Sequence, residues 1–227
     1  MKKVFLYIIV LFLTACASEE KHEAASIVAK MWNAQKCIVS TSRSADTGDE
    51  NEIILTIENI KSADEDYPKK YITSISAFKF LENLPVKEVE GFTKIKIVVK
   101  KGKQTFDKTY PISELITAND LLINTDLIIQ KIKNGDLNNF ENNFDKTEMP
   151  DSVVMRIKNT ISDTESKYGK PEKAIIVGFE FASLRETKQA VLMVYCEISN
   201  PRAFNTYKFI LRRSDKKIVH LGINEII

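Results

Sequence analysis

Glycine, cysteine and histidine are scarce in this chain, with 7, 3 and 2 copies among 227 residues, and each scarcity removes a class of chemistry. A phosphate-cradling loop needs closely spaced glycines so that backbone N–H groups can approach the anion, and no such cluster occurs. No Gly-x-Ser-x-Gly turn presents a nucleophile, and neither Cys37 nor Cys196 has a histidine near it in sequence. Two cysteines and the distant His220 cannot make a zinc site of ordinary spacing. His22 is not followed by a second histidine four residues on, as a metal-binding helix requires. No metal or cofactor is therefore expected, and enzymatic function is not expected. The one low-complexity stretch is the Asn-rich turn at Asn138, Asn139, Asn142 and Asn143.

Long apolar runs are missing too. Val4 to Leu13 falls short of the roughly 20 residues that span a bilayer, and it breaks at Thr14 ahead of Ser18, Glu19 and Glu20. Preceded by Lys2 and Lys3, it has the form of a cleaved export signal over residues 1–15. It closes on Leu13-Thr14-Ala15-Cys16, an apolar residue, two small ones and a cysteine. These four residues resemble the lipobox of bacterial lipoproteins. The resemblance implies cleavage before Cys16, a diacylglycerol on its sulfur and acylation of the new amino group. It implies a membrane-anchored protein of the bacterial cell envelope, at the outer membrane, whose partner is the membrane itself through those acyl chains. Several chains hold stably where one would be marginal. Periplasmic face and cell surface stay open as alternatives. Ser18-Glu19-Glu20, within an acidic tether over 16–23, resembles the small-plus-acidic address that one Gram-negative group uses for surface export, and equally suits a solvated linker.

Lysine and arginine number 33 against 31 acids, but the signal removes Lys2 and Lys3 and no acid, which leaves 31 of each. Nucleic acid asks for a clustered excess of cations and is excluded as a partner. About 210 residues remain, beyond the common domain size of about 100 to 150, so one large or two small domains are expected. With Cys16 lipidated, Cys37 and Cys196 form an even pair that permits one disulfide in an oxidising compartment. Alternation over 190–198 puts Cys196 beside Leu192, Val194 and Ile198 on an apolar face, which favours a buried free thiol.

The expected fold class is α+β. Apolar residues at helical spacing predict a helix over 24–37, and two strands, 37–42 and 52–57, flank a polar turn at 46–49. Tyr71, Ile72, Ile75, Phe78, Leu81 and Leu84 predict a second helix over 70–84, ended by Pro85. A second hairpin follows, 92–99 and 104–110. Residues 24–116 thus read as a helix-hairpin-helix-hairpin domain, with a boundary placed around 111–117. In 117–227, Leu121, Leu122, Leu127, Ile128 and Ile132 form a helical stripe that stops at Asn134-Gly135, where glycine takes the left-handed cap position. Asp136 caps a short helix carrying Leu137, Phe140 and Phe144, and Asp151 opens a third that ends near Tyr168. Four alternating segments, 173–182, 189–199, 203–213 and 216–224, joined by short polar links, predict an antiparallel meander. Three helices followed by a curved four-stranded sheet resemble the cone-shaped fold of the nuclear transport factor two-like and cystatin-like class. That resemblance implies a cavity between sheet and helices.

Inside such a cone Tyr195, Tyr207 and His220, with Phe179, Phe181, Phe204 and Phe209, are candidates for a ligand pocket. On the last strand Ile218, His220 and Gly222 share one face by alternation, and Val219, Leu221 and Ile223 the other, so His220 points away from the apolar row. A catalytic His220 would need a carboxylate partner, and Glu180 and Glu197 are the strand carboxylates available. Lys94, Lys96, Lys100, Lys101 and Lys103, with Lys108, cluster on the second hairpin as a basic surface for anions or as solubilising edge charges. The reading that follows is a non-enzymatic lipoprotein that binds an envelope protein or a small ligand. The alternatives are an inhibitor or immunity lipoprotein acting on a toxin or lytic enzyme, and an enzyme working through the cone.

Overall fold

The computed structural model describes residues 17–42, 51–62 and 67–226. The expected lipobox with Cys16 and the turn expected at 46–49 lie outside the described residues. Among the described residues, five α-helices and two four-stranded sheets form an α+β fold.

The first helix, α1 (Glu19–Trp32), starts earlier than periodicity predicts, because Ser18 caps it by accepting the Lys21 N–H on its hydroxyl. Glu19 and Glu20 fill its first turn, where carboxylates favour the helix dipole. The tether expected over 16–23 is therefore helical from Glu19 on. Strands β1 (Lys36–Ser42) and β2 (Glu52–Glu58) pair antiparallel as the expected hairpin. After α2 (Lys69–Glu82) and a single turn, α3 (Val86–Val89), strands β3 (Lys94–Lys101) and β4 (Gln104–Pro111) form the second hairpin.

The two hairpins join into one sheet, order β1-β2-β3-β4, by parallel pairing of β2 with β3. A lone two-stranded hairpin is marginal in water, and parallel pairing needs a long crossover, which α2 supplies. The register sets Ile53 beside Ile95, Leu55 beside Ile97 and Ile57 beside Val99, and all six are buried. Each such side chain stabilises the fold by roughly 1.5–3 kcal/mol.

Helix α4 (Ile112–Lys133) starts directly after β4 and runs through the boundary expected at residues 116 and 117. Pro111, read as a break, sits at its N-cap, where a residue without an N–H costs nothing. Gly135 takes φ 70° just past the helix, as expected. The short helix expected after Asp136 is a 3₁₀ turn (Phe140–Asn143) with Phe140 and Phe144 buried, and α5 spans Asp151–Tyr168. Strands β5 (Lys173–Ser183), β6 (Ala190–Asn200), β7 (Ala203–Arg212) and β8 (Ile218–Ile226) form the expected antiparallel meander. Register shifts interrupt it between Ile176 and Gly178 and between Ile210 and Leu211.

Both sheets share α2. A buried run from Ile72 to Phe78 leaves the helix no wide solvent face, and three of its buried hydroxyls bond three different neighbours. Ser76 accepts from Trp32 Nε1 of α1 at 2.8 Å, Thr73 shares a 2.8 Å bond with the Tyr110 hydroxyl of β4, and Ser74 accepts from the Phe179 N–H of β5 at 3.0 Å. Helix α2 thus covers the outer edge of β5, which would otherwise expose unpaired backbone donors. Gly178 permits the approach: a Cβ there would come within 2.8 Å of Tyr71 Cα. One cluster of buried residues runs from α1 and the first sheet through α2 and α4 into the second sheet.

Candidate functional site

Two concave surfaces flank α2. The larger is an apolar groove of about 390 Å³ between Ile75 and Phe78 of α2, Leu122, Ile123 and Leu127 of α4, and the first residues of β5. A second hollow of about 230 Å³ continues it past Phe78 to Leu115 and Ile116. Above this groove Ile116, Ile123 and Leu127 are 61, 53 and 59 % exposed. Isolated exposed aliphatics are ordinary on any surface, but these three lie seven and four residues apart, so they form one row along the helix. The row arises because α4 carries apolar residues on more of its circumference than its neighbours cover. Leu127, expected in the buried stripe with Ile128, falls on the uncovered side. Glu82 and Asp126 stand at the rim, with Lys79 bonded to Glu82 at 2.7 Å.

The smaller surface is a polar cleft of about 300 Å³ where the start of α2 meets β4, α4 and β5, lined by Lys70, Lys108, Tyr110, Glu114, Glu180 and Phe181, among others. Lys70 Nζ lies 3.0 Å from Glu180 Oε2 and 3.4 Å from the Tyr195 hydroxyl. It sits 4.7 Å over the Tyr195 ring, and Tyr71 packs on that ring at 4.8 Å between centroids. The Tyr195 hydroxyl donates to Glu180 Oε2 at 2.7 Å. Burial alone pushes the Glu180 carboxyl up, but donation from Tyr195 and Lys70 and the charges of Lys70 and Lys108 outweigh it and hold the pKa below the ordinary value. Burial and the bond to Glu180 push the Tyr195 phenol up, and burial takes Tyr110 to about 12. A carboxylate of lowered pKa is a weak base at neutral pH, and raised phenols stay protonated. The cluster suits holding a polar ligand between donors and acceptors better than moving protons.

Of the residues expected to line one pocket, the structure brings few together. Tyr207 pairs with Cys196 and Lys208 with Tyr195, so Tyr195 and Tyr207 lie on opposite faces of the second sheet. Tyr207 is core, its ring 6.4 Å from Phe209, while Phe204 is 40 % exposed. His220 is exposed opposite Ile210. The face assignment on β8 is corrected: the shift at Ile210 breaks the alternation, so Ile218 is buried with Leu221 rather than sharing the side of His220. Cys37 and Cys196 are free thiols rather than a disulfide, and burial raises Cys37 to about 12 and Cys196 well above its ordinary value. Neither is a thiolate at neutral pH. The hairpin lysines are not a bare cationic patch. Lys96 meets Asp107 at 3.2 Å and Lys100 meets Glu58 at 3.1 Å, and Lys94 stands in register with Glu52. Lys101, Lys103 and Lys108 complete the row at the turn and on β4.

Sequence reasoning missed the groove and Lys70. Glu180 was visible as a strand carboxylate, but its face and its partner 110 residues away were not. Among the described residues no three His, Cys, Asp or Glu side chains gather as metal ligands, and no helix is long and apolar enough to cross a membrane. Comparison of the chain with protein-family models, with curated proteins and with solved structures finds no match.

Proposed function

We propose that this protein is a lipoprotein of the bacterial cell envelope, held at the outer membrane by acyl chains on Cys16, that works by binding rather than by catalysis. Its occupant is an amphipathic helix of another envelope protein, laid in the groove between α2 and α4. The observation that carries this is the exposed row Ile116, Ile123 and Leu127 above the apolar groove, the spacing that a partner helix reads with its own apolar stripe. Glu82 and Asp126 at the rim favour basic residues flanking that stripe. The order of helices and meander in 117–227 supports the likeness to the cone-shaped class, and the polar cleft around Lys70 would be its small-ligand site.

A photo-reactive residue at position 123 of the acylated protein, activated in intact envelopes, tests the reading. One protein adduct is expected, with the crosslink on a helical segment with flanking basic residues. It should drop at least about tenfold when Leu127→Asp and Ile116→Asp are added, since both positions are exposed and the fold tolerates the change. Adducts with lipid alone, or a protein adduct indifferent to those substitutions, would overturn it.

A further inference from the structure

We infer that the corner formed by the first turn of α1 and by α3 is seated on the bilayer, with Val86 entering the boundary between headgroups and acyl chains. This rests on the acylation of Cys16 proposed above. The folded body leaves no slack for a linker. Ala17 is half-buried against the core and Ser18 is the cap of α1. The Ser18 hydroxyl donates to Glu88 Oε2 at 2.7 Å, Lys21 also bonds Glu88, and Lys87 Nζ meets Glu20 Oε1 at 2.7 Å. These bonds fix α3 against the first turn of α1.

Ser18 lies two positions after the acylated Cys16, and two residue steps reach at most about 7 Å. A headgroup layer is about 5–7 Å deep on each side of the hydrocarbon core. A body attached by so short a lead cannot stand clear of the headgroups, and the surface around Ser18 must meet them. That surface carries the most exposed large apolar side chain among the described residues, Val86, at 79 %. Val86 precedes Lys87 and Glu88, the two residues bonded to the start of α1, so it belongs to the same corner as Ser18. Isolated, it would be an ordinary surface valine; next to an acyl anchor it has a hydrocarbon phase to enter.

Charge decides which lipid. Glu19, Glu20, Glu23, Glu88 and Glu90 outnumber Lys21 and Lys87 on these two segments. The corner therefore sits on zwitterionic headgroups, and anionic lipid weakens the contact.

The test uses the full acylated chain in phosphatidylcholine vesicles containing lipids brominated along the acyl chain. A fluorophore is attached at Val86→Cys, and for comparison at Lys103→Cys, in a Cys37→Ser background; Cys196 is fully buried. Lys103 lies past the far end of the eight-residue β3, about 25 Å from the α3 end of that strand. Quenching at 86 at least about threefold stronger than at 103 is expected, and it should fall when about a third of the lipid is replaced by phosphatidylglycerol. Equal quenching at both positions in a chain whose mass proves acylation would overturn the seating alone. Stronger quenching at 86 on anionic vesicles would overturn the charge argument. A native chain with no lipid on Cys16 would overturn the attachment and this inference together.

Discussion

In the two central strands of the first sheet the buried stripe is aliphatic, Ile53, Leu55 and Ile57 against Ile95, Ile97 and Val99, with Tyr110 of β4 beside Ile95, and no register shift interrupts the sheet's three ladders. In the second the stripe holds Phe179, Tyr207 and Phe209, and two shifts break its ladders. A bulge bends its strand and changes which residues face inward. The outer faces differ as well. The first carries cross-strand lysine–acid pairs in solvent, while the second buries Tyr195 under Tyr71 where α2 begins. One sheet is regular and half wet; the other is irregular and grips a helix at its edge.

The strongest way to break this contrast is to ask whether the sheets unfold separately. Leu55→Ala in the first and Phe209→Ala in the second remove fully buried side chains and should cost about 3 and 4 kcal/mol. Because the core is continuous through α2, each should move one shared denaturation curve. Two resolved transitions, each sensitive to only one substitution, would show the sheets to be independent units. Gly178→Ala comes next, at about 2 kcal/mol, because the new methyl meets the Tyr71 backbone rather than a flexible side-chain end. A denaturant midpoint unchanged by this substitution would mean that α2 does not press on β5 as described.

The smallest effect sharpens the contrast within the second sheet, where two carboxylates titrate in opposite senses. Glu180 has a pKa below the ordinary 4.5, so its contribution is present above that value and is lost as pH falls through the folded one. Burial raises Glu197 above 4.5, so its ionisation costs stability as pH rises from 4.5 through its folded value. Glu180→Gln should therefore be less stable than the parent at neutral pH and converge on it as pH falls from 4.5 through the lowered folded pKa. Glu197→Gln should be the more stable of the two, with its advantage opening above pH 4.5. Denaturant midpoints measured across pH 3 to 7 would check both, and parallel curves would refute the opposed signs.

What was legible in the sequence follows the same contrast. Local pattern located α2, α5, both hairpins and the meander, because each depends on neighbours a few residues away. It could not show β2 beside β3, since that pairing joins residues about 40 apart through a helix. Nor could it start α4 directly after Pro111, which serves equally as the end of a strand and the cap of a helix. On β8 strict alternation failed at a single extra residue, and with it the side assigned to Ile218. Of the candidate site, Tyr195 and Glu180 were visible as residues on strands. Lys70, 110 residues from Glu180, had no local signal at all, and the groove exists only where two helices distant in sequence meet.

The bond between the Ser74 hydroxyl and the Phe179 N–H has a consequence in time. Its partners are 105 residues apart, which at about 5–20 residues per second is roughly 5–20 s of synthesis. During that interval the half made first can complete its own sheet, while the side of α2 bearing Tyr71 and Phe78 waits for a strand not yet made. The newborn chain thus carries this apolar side of α2 uncovered for as long as the second sheet is missing, and anything that delays β5 lengthens the period in which another chain can take its place.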